Sequence, residues 1–252
     1  MKKFFLIVSA AAALLLPVAC RKDKTPADPG IPKGAIDLGL KVYWAECNLG
    51  ASSPEDYGDF YAWGEIIPYY TEGHSQDSPC TNWRERSDHP ITGYNWASYL
   101  WCNGTYSTLT KYNNDEVRGT VDGKLSLKDY DYEDDAARAA LDKPWRMPTD
   151  EDFEELIANC SAEWITLNGV YGCKFTSNVE GYKEKWIFFP AAGSREDDQL
   201  GAEGVFGYYW SSVLDEDNPL GPWYLYFDHG TVSVSSPGNG RTMGIPIRPV
   251  AE

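Results

Sequence analysis

The segment Lys143–Cys160, KPWRMPTDEDFEELIANC, constrains the fold most, because it carries the clearest helix signal in the chain. Thr149 is a good N-cap, and Asp152 stands three residues later, which is the spacing of a capping box. Pro148 discourages helix before that point. Apolar side chains then recur with helical spacing at Phe153, Leu156, Ile157 and Cys160. We expect a capped helix with an acidic first turn and one face packed against a core.

The rest of the chain predicts one short helix, several strands and much loop. Four alanines after an aspartate cap indicate a helix from about residue 134 to 141. Long segments between Gly64 and Asp129 have no steady period and are expected to be loops with aromatic anchors. Strands are expected in residues 35–45, 186–190, 208–212 and 245–250, and as a hairpin in 223–227 and 231–235. Short strands with two helices indicate an α+β fold.

The first 20 residues have the composition of an export signal. Two lysines precede an apolar run from Phe4 to Leu16, which is too short to span a bilayer. The segment ends at Cys20 and resembles a lipoprotein signal peptide, with Pro17 where that pattern usually has leucine. The alternative is an ordinary signal peptide cut near Ala19. The resemblance implies that Cys20 is acylated and anchors the protein to membrane lipid.

Three segments follow from this pattern. Residues 1–20 are the predicted signal peptide, residues 21–34 are a flexible tether rich in Pro, Lys and Asp, and residues 35–252 suit one domain. The predicted location is lipid-anchored on a bacterial outer membrane. Because residues 21–24 lack the acidic run often linked to surface export, both the periplasmic and the surface face stay open.

Charge and cysteine content limit the classes of partner. Without Lys2 and Lys3, the 22 basic side chains fall to 20 against 38 acidic ones, a net charge of −18 that disfavours nucleic acid. Five cysteines follow Cys20, and no CxxC or Cys/His spacing indicates zinc. An exported chain permits disulfides, and the pairing among these five stays open. They are Cys47, Cys80, Cys102, Cys160 and Cys173.

A series of motifs resembles a known family. In chain order these are DLGLKVYWAECNLGASSPEDYGDFYAWGE, WCNGTYSTLTKYN, DDAA, WRMPT, FFPAAG, YYWSS and IRPV, between Asp37 and Val250. The chain resembles the Fib-succ-major paralogous domain of exported bacterial proteins, which is similar to the C-type-lectin-like fold of formylglycine-generating enzymes. The resemblance implies a twisted antiparallel sheet joining the two ends of the chain, two helices and long loops.

Several residues are expected to hold this fold together. Arg146 could clamp an anionic substrate. We favour the alternative, in which its guanidinium fixes loop carbonyls or a carboxylate while Trp145 packs in the core. The resemblance implies that late strands carrying Trp210 and Arg248 complete the core. With the capping pair, the predicted structural residues are Trp145, Arg146, Thr149, Asp152, Trp210 and Arg248.

Calcium is the one metal that the sequence suggests. Alternating acids in residues 129–135 resemble the first half of an EF-hand loop, with Asp131, Asp134 and Asp135 as candidate ligands. The pattern then lacks the glycine at the sixth position, and Ala140 stands where the bidentate glutamate belongs. The alternative is an acidic helix N-terminus.

No catalytic residue is predicted. The Gly-x-Ser-x-Gly and His-Glu-x-x-His motifs are absent from the sequence, and no cysteine follows Cys173 to supply the reactive pair of formylglycine-generating enzymes. Aromatic residues instead suggest a surface for a protein or glycan ligand, with Tyr61, Trp63, Trp223 and Tyr224 as candidates. The alternatives are a structural surface-assembly component without a small ligand and, less favoured, an enzyme of the formylglycine-generating type or a hydrolase.

Overall fold

A computed structural model describes residues 30–71, 77–236 and 238–252. The predicted lipidation site Cys20, the signal peptide and residues 21–29 of the tether lie outside these ranges. The α-helices in the described part are α1 (Ala136–Leu141) and α2 (Asp150–Asn159), and 3-10 turns span Glu116–Arg118 and Leu127–Tyr130. The strands are β1 (Ala35–Ile36), β2 (Tyr43–Ala45), β3 (Trp145–Arg146), β4 (Cys160–Leu167), β5 (Val170–Ser177), β6 (Trp186–Pro190), β7 (Ser194–Glu196), β8 (Gln199–Gly201), β9 (Gly207–Asp215), β10 (Asn218–Phe227), β11 (Val232–Ser235) and β12 (Val250–Ala251).

One sheet joins the early and late parts of the domain. Its strand order is β1-β2-β12-β3, and all neighbouring strands are antiparallel. Val250 in the last strand pairs with Trp44 on one side and with Arg146 on the other. The predicted sheet between the two ends of the chain is therefore confirmed.

The remaining strands form three further antiparallel sheets, ordered β11-β10-β9, β4-β5-β6 and β7-β8. The predicted hairpin at residues 223–235 is confirmed, with Tyr224 opposite Ser235 and Phe227 opposite Val232. The β4-β5 hairpin was not predicted. Several antiparallel sheets with two helices confirm the α+β class. No helix within the described ranges is both long and apolar enough to cross a bilayer.

The capped helix forms as expected. Thr149 accepts a hydrogen bond from the Asp152 backbone N–H, and the Asp152 carboxylate accepts one from the Thr149 N–H. Phe153 and Leu156 are fully buried, and the Phe153 ring lies 5.5 Å from that of Trp44. The helix thus packs its apolar face into a core that contains Trp44 of β2 and the inner face of the β11-β10-β9 sheet.

Arg146 bonds one backbone carbonyl and two carboxylates. It is buried, and its Nη1 donates to Asp152 Oδ2 at 2.7 Å and to the carbonyl of Met147 at 3.0 Å. Its Nε donates to Glu252 at 2.9 Å, and Trp145 beside it is 8% exposed. This arginine therefore ties β3 to the first turn of α2 and to the last residue of the chain.

Arg248 fixes a second junction. Its guanidinium is fully buried and lies 4.5 Å from the centre of the Phe189 ring. Its nitrogens donate to Asn48 Oδ1 at 2.9 Å, to the Glu46 carbonyl at 3.0 Å and to the Phe188 carbonyl at 2.8 Å. Burial lowers the pKa of this arginine. Because a planar group with several donors can bind diverging carbonyls, one side chain holds together the segment after β2, β6 and the C-terminal segment.

Candidate functional site

Two of the four predicted ligand-binding aromatics are in the core. Tyr61 is 5% exposed and Trp63 is not exposed at all. The Trp63 ring packs edge-on against Tyr112 at 5.1 Å, and its Nε1 donates to the Ser211 carbonyl at 2.9 Å. The prediction that these rings face solvent is wrong, because the loop that carries them folds inward and satisfies the indole N–H within the protein.

The other two predicted aromatics, Trp223 and Tyr224, are half-buried. The Tyr224 ring packs on Tyr208 at 5.7 Å and on Trp210 at 6.3 Å, and Trp210 itself is fully buried. Trp210 therefore lies in the core. Tyr224 has one exposed side, at the edge of a larger group of rings.

The predicted calcium ligands do not converge. Asp134 forms an ion pair with Lys111 and accepts from the Tyr112 hydroxyl, whereas Asp135 caps α1 and accepts from the Met147 N–H at 2.8 Å. Asp131 has a left-handed backbone at the end of a 3-10 turn. Within the described residues, no group of three or more His, Cys, Asp or Glu side chains could hold a metal ion. The acidic run therefore serves as a cap and as a partner for a lysine.

A shallow, open depression with exposed rings lies elsewhere in the fold, and we call it the aromatic groove. Three segments that are distant in sequence build it: the β4-β5 hairpin, the turn before β9 and the β10-β11 turn. It has a volume of about 490 Å³. The lining residues are Trp164, Tyr171, Gly204, Val205, Phe206, Asp228 and His229.

Trp164 and Tyr171 line the groove as a stacked pair. Trp164 lies opposite Cys173 and Tyr171 lies opposite Thr166, so the two rings are diagonal neighbours on one face of the hairpin. Their centroids are 6.3 Å apart and their planes differ by 16°. Tyr171 is 53% exposed, whereas the other ring is half-buried.

The β10-β11 turn supplies polar groups at one end of the groove. Asp228 accepts from the backbone N–H groups of Gly230 and Thr231, each at 2.8 Å, and from the Tyr226 hydroxyl at 2.7 Å. These hydrogen bonds lower the pKa of Asp228, the backbone bond from Gly230 most, so the group is a carboxylate at neutral pH. His229 is exposed, and its ring lies 6.1 Å from that of Trp164.

Tyrosine and serine side chains extend this surface along the β11-β10-β9 sheet. Side chains alternate across a strand, so Leu225 and Phe227 face the core while Tyr226 lies on the outer face. Tyr226 pairs with Tyr208 on one side and with Ser233 on the other. Phe206 connects this outer face to the aromatic groove, with its ring 5.9 Å from Tyr226.

The five cysteines after Cys20 are free in the structure. Cys160 and Cys173 are opposite different partners in the β4-β5 hairpin, Ser177 and Trp164, and do not form the disulfide that the sequence left open. Burial raises the pKa of Cys160 to about 11 and that of Cys173 to about 12. Both are therefore protonated at neutral pH and are poor nucleophiles.

Local signals for the aromatic groove exist in the sequence. The dipeptide Asn168-Gly169 is typical of a tight hairpin, and both residues have positive φ, 48° and 90°. Recognising that turn places Trp164 and Tyr171 near one another. Their approach to Phe206 and His229 depends on tertiary packing.

Comparison with known proteins gives no match: no family model, no curated protein and no solved structure is similar to this chain.

Proposed function

We propose that this protein is a non-enzymatic cell-envelope lipoprotein whose domain presents a binding surface for a protein or glycan ligand. The observation that carries the proposal is the aromatic groove, a shallow, open depression of about 490 Å³ with exposed ring faces and polar side chains. Ligand sites in proteins are commonly concave, lined by aromatic side chains, and provided with a few polar groups. Tyr171 is 53% exposed although its ring stacks on Trp164, so one side of this ring pair is open to a ligand.

The proposal includes the family resemblance and the C-type-lectin-like form of the α+β fold. The sheet that joins the chain ends, the capped helix α2 and the buried Arg248 support this form. The lipid anchor on Cys20 rests on the sequence of residues 1–20. The absence of catalysis is also part of the proposal, and the raised pKa values of Cys160 and Cys173 argue against thiol chemistry at those two residues.

A binding experiment on the full-length chain tests the proposal. Purified protein is titrated with two envelope fractions of the producing bacterium, its polysaccharides and its detergent-solubilised proteins. We expect saturable binding to one fraction, lost in the double variant Tyr171→Ala, Phe206→Ala. The control is Tyr106→Ala, because Tyr106 is 49% exposed, close to the 53% of Tyr171, and does not line the groove. Unchanged binding by the double variant, or no saturable binding, would contradict the proposal.

The anchor is tested separately. Radioactive palmitate should label the wild-type protein in growing cells and should not label Cys20→Ala. Equal labelling of the two proteins would remove the lipid anchor from the proposal, and binding by the aromatic groove would be unaffected.

A further inference from the structure

We propose that the aromatic groove binds an uncharged oligosaccharide, with sugar rings stacked over Tyr171 and Phe206 and sugar hydroxyls bonded by Asp228 and His229. This inference rests on the proposed function, and it commits to one class of ligand. Four features of the groove carry it: the geometry of the rings, the state of the backbone donors, the charge of the lining and the polar end.

The ring geometry requires a ligand that lies over the rings. The centroids of Trp164 and Tyr171 are 6.3 Å apart, and their planes are nearly parallel. Carbon atoms pack at about 3.5–4 Å, so a carbon group between two parallel rings needs about 7 Å or more. The two rings are therefore too close to hold a cationic group such as a methylammonium between their faces, as an aromatic cage does. A ligand with a broad apolar face, such as a sugar ring with its axial hydrogens, can lie over the outward faces.

The backbone N–H groups of the turn before β9 are already used within the fold. The N–H of Gly204 donates to the Ala191 carbonyl, and those of Val205 and Phe206 donate to the Ala202 carbonyl. Recognition of an extended peptide by strand addition needs a row of unpaired backbone groups. The turn that forms this wall of the groove presents side chains instead.

The charge of the lining disfavours anions. None of the described residues that line the groove is lysine or arginine, and Asp228 contributes a carboxylate. The whole chain has a formal net charge of −16, which adds a repulsive field for acidic polysaccharides. An uncharged sugar avoids that repulsion.

The polar end suits hydroxyl groups. Asp228 Oδ1 already accepts from the Gly230 and Thr231 N–H groups, so a sugar hydroxyl would donate to Oδ2 beside the Tyr226 hydroxyl. The His229 imidazole can bond through both ring nitrogens. The Tyr226 hydroxyl fixes the orientation of the carboxylate, because it donates to Oδ2 at 2.7 Å. Ring faces next to fixed acceptors match a ligand that has an apolar face and a polar rim, as a sugar does.

The test uses the full-length protein and defined probes. Cello-, manno- and xylo-oligosaccharides are the neutral probes, polygalacturonate is the anionic probe, and a proline-rich peptide is the peptide probe. We expect saturable binding of at least one neutral probe and none of the other two. Tyr171→Ala should weaken that binding about tenfold, whereas Tyr171→Phe, which keeps the ring, should retain it. Tyr106→Ala is the matched surface control.

Three results would overturn the inference. The first is no binding of any neutral probe, and the second is preference for the anionic or peptide probe. The third is equal affinity in Tyr171→Ala with an unchanged melting temperature. If the groove variants lose an envelope protein ligand while no sugar binds, the glycan inference fails and the proposed function stands. If the groove variants lose nothing, both fail.

Discussion

Replacing Asp152 tests whether the start of α2 is held by one shared carboxylate. Asp152 is 8% exposed, and its Oδ2 accepts both from Arg146 at 2.7 Å and from the Thr149 N–H at 2.8 Å. Removing one partner of a buried ion pair costs about 3–5 kcal/mol. Arg146 keeps its contact with Glu252 in the variant, so we expect the lower end of that range.

The two effects add for Asp152→Ala. Loss of the ion pair contributes about 3 kcal/mol, and loss of the reciprocal cap contributes about 1 kcal/mol, which gives about 4 kcal/mol. Asp152→Asn keeps an oxygen for the Thr149 N–H and loses the charge beside Arg146, so we expect about 2 kcal/mol. Glu154→Gln is the control, because Glu154 lies on the exposed face of the same helix and should change stability by less than about 0.5 kcal/mol.

Urea unfolding followed by tryptophan fluorescence measures all three variants. The urea concentration at the midpoint should be highest for Glu154→Gln, lower for Asp152→Asn and lowest for Asp152→Ala. The dependence of the unfolding free energy on urea concentration should be the same in all three, since only stability differs. If the unfolding free energies of both Asp152 variants lie within about 0.5 kcal/mol of that of Glu154→Gln, the shared carboxylate does not hold the helix start.

Three further predictions concern buried or hydrogen-bonded groups elsewhere. Arg248→Lys should lower the unfolding free energy by about 2–4 kcal/mol, because one ammonium group cannot bind the diverging oxygens that the guanidinium binds; a loss below about 1 kcal/mol contradicts this role. The pKa of Asp228 is lower in the folded state, so its contribution to stability is full above about pH 4 and is lost as the pH falls through the folded pKa. The melting temperature of Asp228→Asn should therefore approach that of the wild type as the pH falls. A constant difference between the two melting temperatures down to pH 2.5 would refute this. In native protein at pH 8, a thiol reagent should label the half-exposed Cys47 before the buried Cys160 and Cys173. Mass spectrometry measures the labelling rate of each cysteine, and a Cys173 rate equal to that of Cys47 would contradict its burial.

Elements with complete local signals are predicted from sequence. The capping pair and apolar spacing of α2 lie within twelve residues, and the hairpin at 223–235 combines alternation with a turn. The β4-β5 hairpin was missed although Asn168-Gly169 is a strong turn signal, because its strands carry mixed side chains on both faces. Residues 160–162 run from a buried cysteine into two exposed positions.

The candidate site could not be predicted because burial in the loop region depends on distant partners. Trp63 and Tyr61 resemble exposed loop aromatics in sequence. Their burial arises from contacts with Tyr112 and from hydrogen bonds with residues about 150 positions later. The aromatic groove likewise combines three segments between residues 164 and 229, and no local pattern indicates that they meet.

The central claim, that the aromatic groove is occupied by a ligand in the envelope, is tested most directly by footprinting of His229. Diethyl pyrocarbonate modifies accessible imidazoles, and mass spectrometry compares intact cells with the purified full-length protein. His89 is the internal reference, because it is half-buried and its Nε2 bonds the Cys102 carbonyl in the domain itself. We predict that His229 is protected in cells relative to His89, and that Tyr171→Ala abolishes the protection. Equal modification of His229 in cells and in the purified protein would contradict the claim.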